Sequence, residues 1–109
     1  MIIRLVRVIA SPDRASTLNA HFRDVAQPRI RACPGNAGIW YGRQVHRGHE
    51  EFMMMSRWVD HAALRAWTGP DVNALPLLPN IDELATEWTV QHFEELDADE
   101  STARPAQKP

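Results

Sequence analysis

The sequence predicts an α+β domain whose strands and helices follow one another in the order β-α-β-β-α-β. Four short segments are rich in β-branched, aromatic and other apolar residues, a composition typical of strands. Two of the intervals between these segments carry apolar residues at spacings of three and four, which is typical of amphipathic helices. The chain has 109 residues, so a single domain is expected.

The first half of the chain contains a strand, a helix and a second strand. The first strand is predicted over residues 2–9, and Ser11, Pro12 and Asp13 then supply an N-cap, a first-turn proline and a first-turn acid. Apolar residues over 18–30 repeat at helical spacing. Pro28 is expected to end or kink this helix, and a turn over 33–36 leads into the second strand, 38–46.

The second half continues with a hairpin over 47–50 and a third strand over 51–58. Asp60 is predicted to cap a short helix over 61–67, and Asn80 to cap another short helix after an irregular stretch over 71–79. The fourth strand is predicted over 88–93. Residues 97–109 contain no large apolar side chain, so we expect a folded domain over 1–96 and a disordered C-terminal tail.

This element order is that of a ferredoxin-like fold, a four-stranded antiparallel sheet with helices on one face. A sheet covered on one side should alternate apolar and polar residues. In the first strand, however, Val6 and Val8 face one side while Leu5 and Ile9 face the other, and methionines over 53–55 fill both sides of the third strand. We therefore expect a second copy to cover the free face, giving a homodimer with a barrel-like core between two sheets.

Composition excludes several classes of protein. A net charge of −2 argues against a dedicated nucleic-acid binder. No apolar run approaches the roughly 20 residues of a membrane-spanning helix, and the N-terminal residues do not have the pattern of a signal peptide. A single cysteine, Cys33, excludes an internal disulfide framework and a cysteine metal cluster. We expect a cytoplasmic protein without nucleic-acid or membrane partners.

The turn Pro34-Gly35 and the segment 56–64, which ends the third strand with Trp58 and continues into a capped helix, resemble the antibiotic biosynthesis monooxygenase domain family of the dimeric α+β barrel superfamily. The resemblance spans roughly residues 2–95. It implies a homodimer whose subunits each hold a pocket between sheet and helices. Members include monooxygenases that oxidise polyphenolic or quinone-like substrates without a metal or prosthetic group, and haem-degrading enzymes.

Two branches of that family can be compared with this chain. The haem-degrading branch carries two tryptophans spaced like Trp58 and Trp67, but its iron ligand would fall at Leu77, and its first-strand asparagine has no counterpart here. The cofactor-free branch resembles the chain at Trp67. That branch places an asparagine near Ala63 and a tyrosine near Asn73, and the chain departs from it at both positions.

Cofactor-free oxygenation requires a base, a group that holds the substrate anion and a pocket that excludes water. The candidate catalytic residues are His92 on the fourth strand, His21 beside the apolar side of the first helix, and Arg7 on the first strand. Arg4 faces the opposite side of that strand from Arg7. We expect one arginine to pair with an acidic residue of a neighbouring strand or a partner subunit, and the other to face the pocket.

The candidate substrate-binding residues are Trp67, Tyr41, Arg43 and Asn73. Trp67 offers a flat ring and an indole N–H to a small aromatic ligand, although simple core packing is an equal alternative. Tyr41 and Arg43 share a strand face that could meet a ligand or a partner sheet. We expect no metal or other cofactor. The predicted function is a small-molecule monooxygenase; the alternatives are a non-catalytic ligand-binding or stress-related module and a haem-degrading monooxygenase.

Overall fold

Four antiparallel strands form one sheet with the spatial order β2-β3-β1-β4. The computed structural model describes residues 1–96, and the predicted tail over 97–109 lies outside the described residues. The strands are β1 (Ile2–Ala10), β2 (Asn36–His46), β3 (His49–Trp58) and β4 (Glu87–Glu94). This order, with β1 and β3 in the centre, confirms the predicted ferredoxin-like arrangement.

The helical layer is built from two connections. Between β1 and β2 lie α1 (Pro12–His21), a π-helical turn (Phe22–Ala26) and α2 (Gln27–Arg31). Between β3 and β4 lie α3 (His61–Thr68), a loop over 69–80 and α4 (Ile81–Leu84). Within residues 1–96, none of these helices is long and apolar enough to cross a membrane.

Pro28 does not end the first helical segment, which continues to Arg31. The π-helical turn directly before the proline changes the hydrogen-bond pattern, so that the Gln27 N–H donates to the Phe22 carbonyl five residues back. A proline inside a regular α-helix would clash with the preceding turn and remove a hydrogen bond. The wider turn is a common way for a helix to absorb such an interruption. Ile30 consequently remains on the buried side of the helix.

The two faces of the sheet differ in exposure. In β1, Val6, Val8 and Ala10 are fully buried against the helices, whereas the residues between them are only partly buried. The same alternation holds in β3, where Phe52 and Met54 are buried. The helix-covered face therefore carries the hydrophobic core.

The ends of the helices follow the sequence only in part. The Asp60 side chain accepts a hydrogen bond from the Ala63 N–H at 2.8 Å and caps α3 as predicted. Ser11 occupies the N-cap position of α1, but its hydroxyl donates to the Asp13 carboxylate at 2.5 Å and makes no capping bond to the backbone. Asn80 likewise precedes α4 without a side-chain cap.

Gly35 fixes the position of α3 over the sheet. Its φ of 85° is in the left-handed region, and a Cβ at this position would lie 2.5 Å from the Cβ of Ala63. The Gly35 carbonyl accepts the Val59 N–H at 2.9 Å, directly before α3 begins. The turn before β2 and the start of α3 are therefore in direct contact, and Trp67 lies in the last turn of the same helix.

Candidate functional site

A cavity lies between the helix-covered face of the sheet, the first helical segment, α3 and the loop over 69–80. Its enclosed volume is about 20 Å³. This is far below the roughly 300–1,000 Å³ of typical ligand sites. Apolar side chains form most of the wall, and the polar groups come from Arg4, His21 and Trp67; the other lining residues are Val6, Phe22, Ala26, Ile30, Met54, Leu75, Pro76 and Leu78.

Arg4 is the only charged residue buried within residues 1–96, with 2% of its surface exposed. Its Nη1 donates to the Val72 carbonyl at 2.5 Å, and its Nη2 donates to the Ala74 carbonyl at 2.6 Å. No carboxylate in the described part of the chain forms an ion pair with it. Burial lowers the pKa of Arg4 to about 10, and the charge of Asp71 opposes that change. The cavity wall therefore contains a cation balanced mainly by neutral carbonyl groups.

His92 lies beside Arg4 because the two residues are paired across β1 and β4. The Arg4 Nη1 and the His92 Nε2 are 3.0 Å apart. A guanidinium can only donate, so Nε2 accepts and the imidazole carries its proton on Nδ1. Burial lowers the pKa of His92, and the positive charges of Arg4 and His61 lower it further. His92 is therefore neutral and contacts Arg4, but it is not part of the cavity wall.

His21 and Trp67 line the cavity from its helical side. His21 ends α1 immediately before the π-helical turn, and its ring meets the Phe22 ring edge to face at 5.7 Å between centroids. Burial lowers the pKa of His21, which favours the neutral imidazole that can accept a proton. Trp67 lies in the last turn of α3. The cavity thus combines a neutral base, a buried cation and an aromatic ring.

Arg7 lies outside this cavity, on the opposite face of the sheet from Arg4. Its Nε donates to the Glu51 carboxylate at 2.7 Å, and its Nη2 contacts the same oxygen. The pairing lowers the pKa of Glu51. One arginine of β1 was expected to pair with an acidic residue and the other to face the pocket. In the structure Arg7 is the paired residue and Arg4 faces the pocket. Arg7 is therefore not placed to hold a ligand in the cavity.

Three predicted substrate-binding residues also lie outside the cavity wall. The Tyr41 hydroxyl donates to the Asn19 side chain at 2.9 Å, and its ring stacks on Phe52 with 6.2 Å between centroids. Arg43 lines a separate surface groove of about 440 Å³. Asn73 is exposed, and its N–H donates to the Asp71 carboxylate at 3.0 Å. Of the seven predicted site residues, only His21 and Trp67 line the cavity.

The protein-family comparison matches residues 1–71 to the antibiotic biosynthesis monooxygenase family. The chain belongs to this family. The matched region contains Arg4, His21 and Trp67 but ends within the loop that closes the cavity. The family match therefore includes the residues of the sheet and the helices that line the site, but it does not include the rest of the loop.

Several solved structures have the same fold. One described as a putative antibiotic biosynthesis monooxygenase from Deinococcus radiodurans is 21% identical, covers 90% of this chain and 95% of its own, and has a TM-score of 0.70. A Streptomyces coelicolor monooxygenase in complex with nanaomycin D is 17% identical, covers 89% and 88%, and has a TM-score of 0.64. SnoaB, a cofactor-independent oxygenase from Streptomyces nogalater, is 18% identical, covers 88% and 93%, and has a TM-score of 0.62.

A search of curated protein sequences finds no significant match. The likenesses to the three solved structures named above are below 25% identity and establish the fold alone.

The site contains contacts that sequence reasoning missed. The carbonyls of Val72 and Ala74 and the apolar side chains of Leu75, Pro76 and Leu78 all come from the loop over 69–80. Backbone carbonyls carry no side-chain signal, so their role could not be read from residue types. A usable signal was present in β1, where Arg4 interrupts a series of otherwise apolar residues on the core-facing side.

Proposed function

We propose that the cavity binds a flat phenolic or quinone-like molecule and promotes its reaction with O₂ without a metal or prosthetic group. The observation that carries this proposal is the buried Arg4 guanidinium, which has no carboxylate partner in the described residues and shares the cavity wall with neutral His21. Membership of the antibiotic biosynthesis monooxygenase family supports it. The Streptomyces nogalater neighbour is described as a cofactor-independent oxygenase.

In this reaction His21 accepts a proton from the substrate, and Arg4 stabilises the negative charge that develops. The electron-rich anion reacts with O₂. A substrate carbon that bears two hydrogens becomes a carbonyl, one oxygen atom remains in the product, and the other leaves with both hydrogens as water. The substrate supplies all the electrons, so no external reductant is required. The apolar wall excludes water from the reactive anion.

Oxygen uptake tests this proposal with 1,8-dihydroxyanthrone as the probe and a chelator present throughout. We expect uptake faster than the spontaneous reaction and one atom of labelled oxygen in the product. Replacing His21 with Asn removes the base and should slow uptake by about 100-fold or more. His49→Asn is the matched control because His49 lies on the hairpin, stacked against His46 and away from the cavity. Uptake equal to the spontaneous rate would contradict the proposal.

A second candidate function is ligand binding without turnover. The small empty space and the engagement of both Arg4 terminal nitrogens by the chain's own carbonyls favour it, because the site is nearly filled without a ligand. Saturable binding of the anthrone with no acceleration of oxygen uptake would select this function over the first.

We also propose that the protein is a homodimer in which a second copy covers the uncovered face of the sheet. Trp40, Met53 and Phe93 are between 40% and 48% exposed. Large apolar residues exposed together mark an interaction surface. Native mass spectrometry should give about 25 kDa, twice the 12.4 kDa of one chain, and a 12.4 kDa species alone would contradict the dimer.

A further inference from the structure

Arg4 connects the floor of the cavity to the loop that covers it. The guanidinium extends from the central strand β1, while the Val72 and Ala74 carbonyls belong to the loop over 69–80. The same loop contributes Leu75, Pro76 and Leu78 to the cavity wall. A single buried side chain therefore holds in place the segment that limits the size of the cavity.

The Arg4 charge is poorly balanced in this arrangement. Neutral carbonyls occupy both terminal nitrogens, and the neighbouring imidazole of His92 contributes no negative charge. The Asp71 carboxylate raises the pKa of Arg4 through its charge but forms no ion pair with the guanidinium. A carboxylate or phenolate would bind the same nitrogens through charge-assisted hydrogen bonds, which are roughly twice as strong as neutral ones. The displaced carbonyls lie in a surface loop and can be hydrated once they leave the guanidinium. An anionic ligand can therefore compete with the loop for Arg4.

The loop itself contains strain that favours its release. Leu77 has a φ of 66°, a left-handed conformation that is unfavourable for a non-glycine residue, and its side chain is 43% exposed. Gly69 begins the loop with a φ of 79°, directly after α3. Strained conformations persist where surrounding contacts hold them, and the contacts with Arg4 lie within the same loop.

From these observations we propose that the cavity selects acidic aromatic ligands, whose carboxylate or phenolate takes the place of the Val72 and Ala74 carbonyls on Arg4 and thereby opens the loop over 69–80. This inference rests on the proposed function, since it concerns the same cavity, but it specifies the ligand class and the residue that recognises it. Neutral aromatic molecules of the same shape cannot displace the loop and bind weakly.

The test compares two ligands of nearly the same shape, 3-hydroxy-2-naphthoate and its carboxamide. Near neutral pH the first is an anion and the second is not. Titration calorimetry of the wild-type protein should show that the carboxylate binds at least about tenfold more tightly, which corresponds to 1.4 kcal/mol. Hydrogen exchange of backbone amides over 71–78 should accelerate when the carboxylate binds. Equal affinities, or no binding of either ligand, would overturn the inference, and unchanged or slower exchange would contradict the displacement of the loop.

Substitutions of Arg4 test whether the preference for the carboxylate ligand depends on this residue. In Arg4→Gln the preference for the carboxylate should fall below about threefold, and Arg4→Lys should retain part of it because the charge remains while the planar fork is lost. Arg14→Gln is the matched control, since it removes one exposed positive charge on α1 outside the cavity. The preference of the wild-type protein decides the inference even if Arg4→Gln does not fold. Oxygen uptake is measured in a separate experiment. If the carboxylate and the carboxamide bind equally well while the anthrone is still oxidised, the selectivity for acidic ligands is refuted and the proposed oxygenase function is not.

Discussion

Substitution of Gly35 by Ala tests how the turn before β2 positions α3. Gly35 and Gly48 have nearly the same φ, 85° and 86°, but only Gly35 is close to another element. A Cβ at Gly35 would lie 2.5 Å from the Ala63 Cβ and 3.1 Å from a Val59 methyl group, whereas a Cβ at Gly48 meets nothing within 4 Å. The two substitutions therefore impose the same backbone strain and differ in steric overlap.

The expected losses in the free energy of unfolding follow from the backbone strain and the steric overlap. Left-handed strain costs about 1–2 kcal/mol for a non-glycine residue, and overpacking adds about 1–3 kcal/mol. The lower entropy of the unfolded chain offsets about 0.4–1 kcal/mol in both variants. We expect Gly35→Ala to lower the free energy of unfolding by about 1–5 kcal/mol, and Gly48→Ala by about 0–2 kcal/mol.

Urea unfolding followed by tryptophan fluorescence measures both variants against the wild-type protein. The difference between them should be about 1–3 kcal/mol, the cost of the overlap alone. If Gly35→Ala is no less stable than Gly48→Ala, the contact between the turn and α3 does not restrain the helix, and the reasoning is refuted.

Three further predictions concern ionisable groups. Tyr41 is the only tyrosine, and burial raises its pKa to about 12, so its phenolate absorbance should appear near pH 12 in the folded protein and near pH 10 in urea; coincident titrations would contradict this. Burial lowers the pKa values of His21 and His92 in the folded protein. As the pH falls, these histidines are therefore protonated in the unfolded chain before they are protonated in the folded one, and the free energy of unfolding should fall below about pH 6.5. Replacing both histidines with Asn should flatten that decline in urea unfolding, and an unchanged slope would count against it. Arg7→Gln breaks a partly exposed ion pair with Glu51, so it should change the free energy of unfolding in urea by no more than about 1 kcal/mol. The same substitution should leave the affinity for 3-hydroxy-2-naphthoate unchanged in calorimetry. A weaker affinity would show that Arg7 takes part in ligand binding.

The sequence predicted the fold well because its strands carry strong, redundant signals. β1 and β3 are apolar on both faces, and the turns between elements contain proline, glycine or asparagine at the expected places. Pro28 was expected to end or kink the first helix, and the helix continues past it after a π-helical turn. A residue pattern indicates that a proline disturbs a helix, but the surrounding packing decides whether the helix ends or forms a π-helical turn.

The site was less accessible to sequence reasoning. Alternation along β1 showed that Arg4 and Arg7 face opposite sides, but it did not show which side the helices cover. In the structure the helices cover the side of Arg4, and Arg7 pairs with Glu51 on the other side, a contact that depends on the register between β1 and β3. The carbonyls that hold Arg4 come from a loop 68 and 70 residues away along the chain, whose path has no periodic pattern.

The most direct test of a ligand site around Arg4, His21 and Trp67 is the nitrogen–proton correlation spectrum of the four tryptophan indole groups, recorded before and after addition of 3-hydroxy-2-naphthoate. Trp67 lines the cavity, whereas Trp40 is 47% exposed on the uncovered face of the sheet. We expect the Trp67 resonance to shift most and the Trp40 resonance to remain unchanged. A shift of Trp40 with Trp67 unaffected would place the ligand on the other face of the sheet and contradict a ligand site in the cavity.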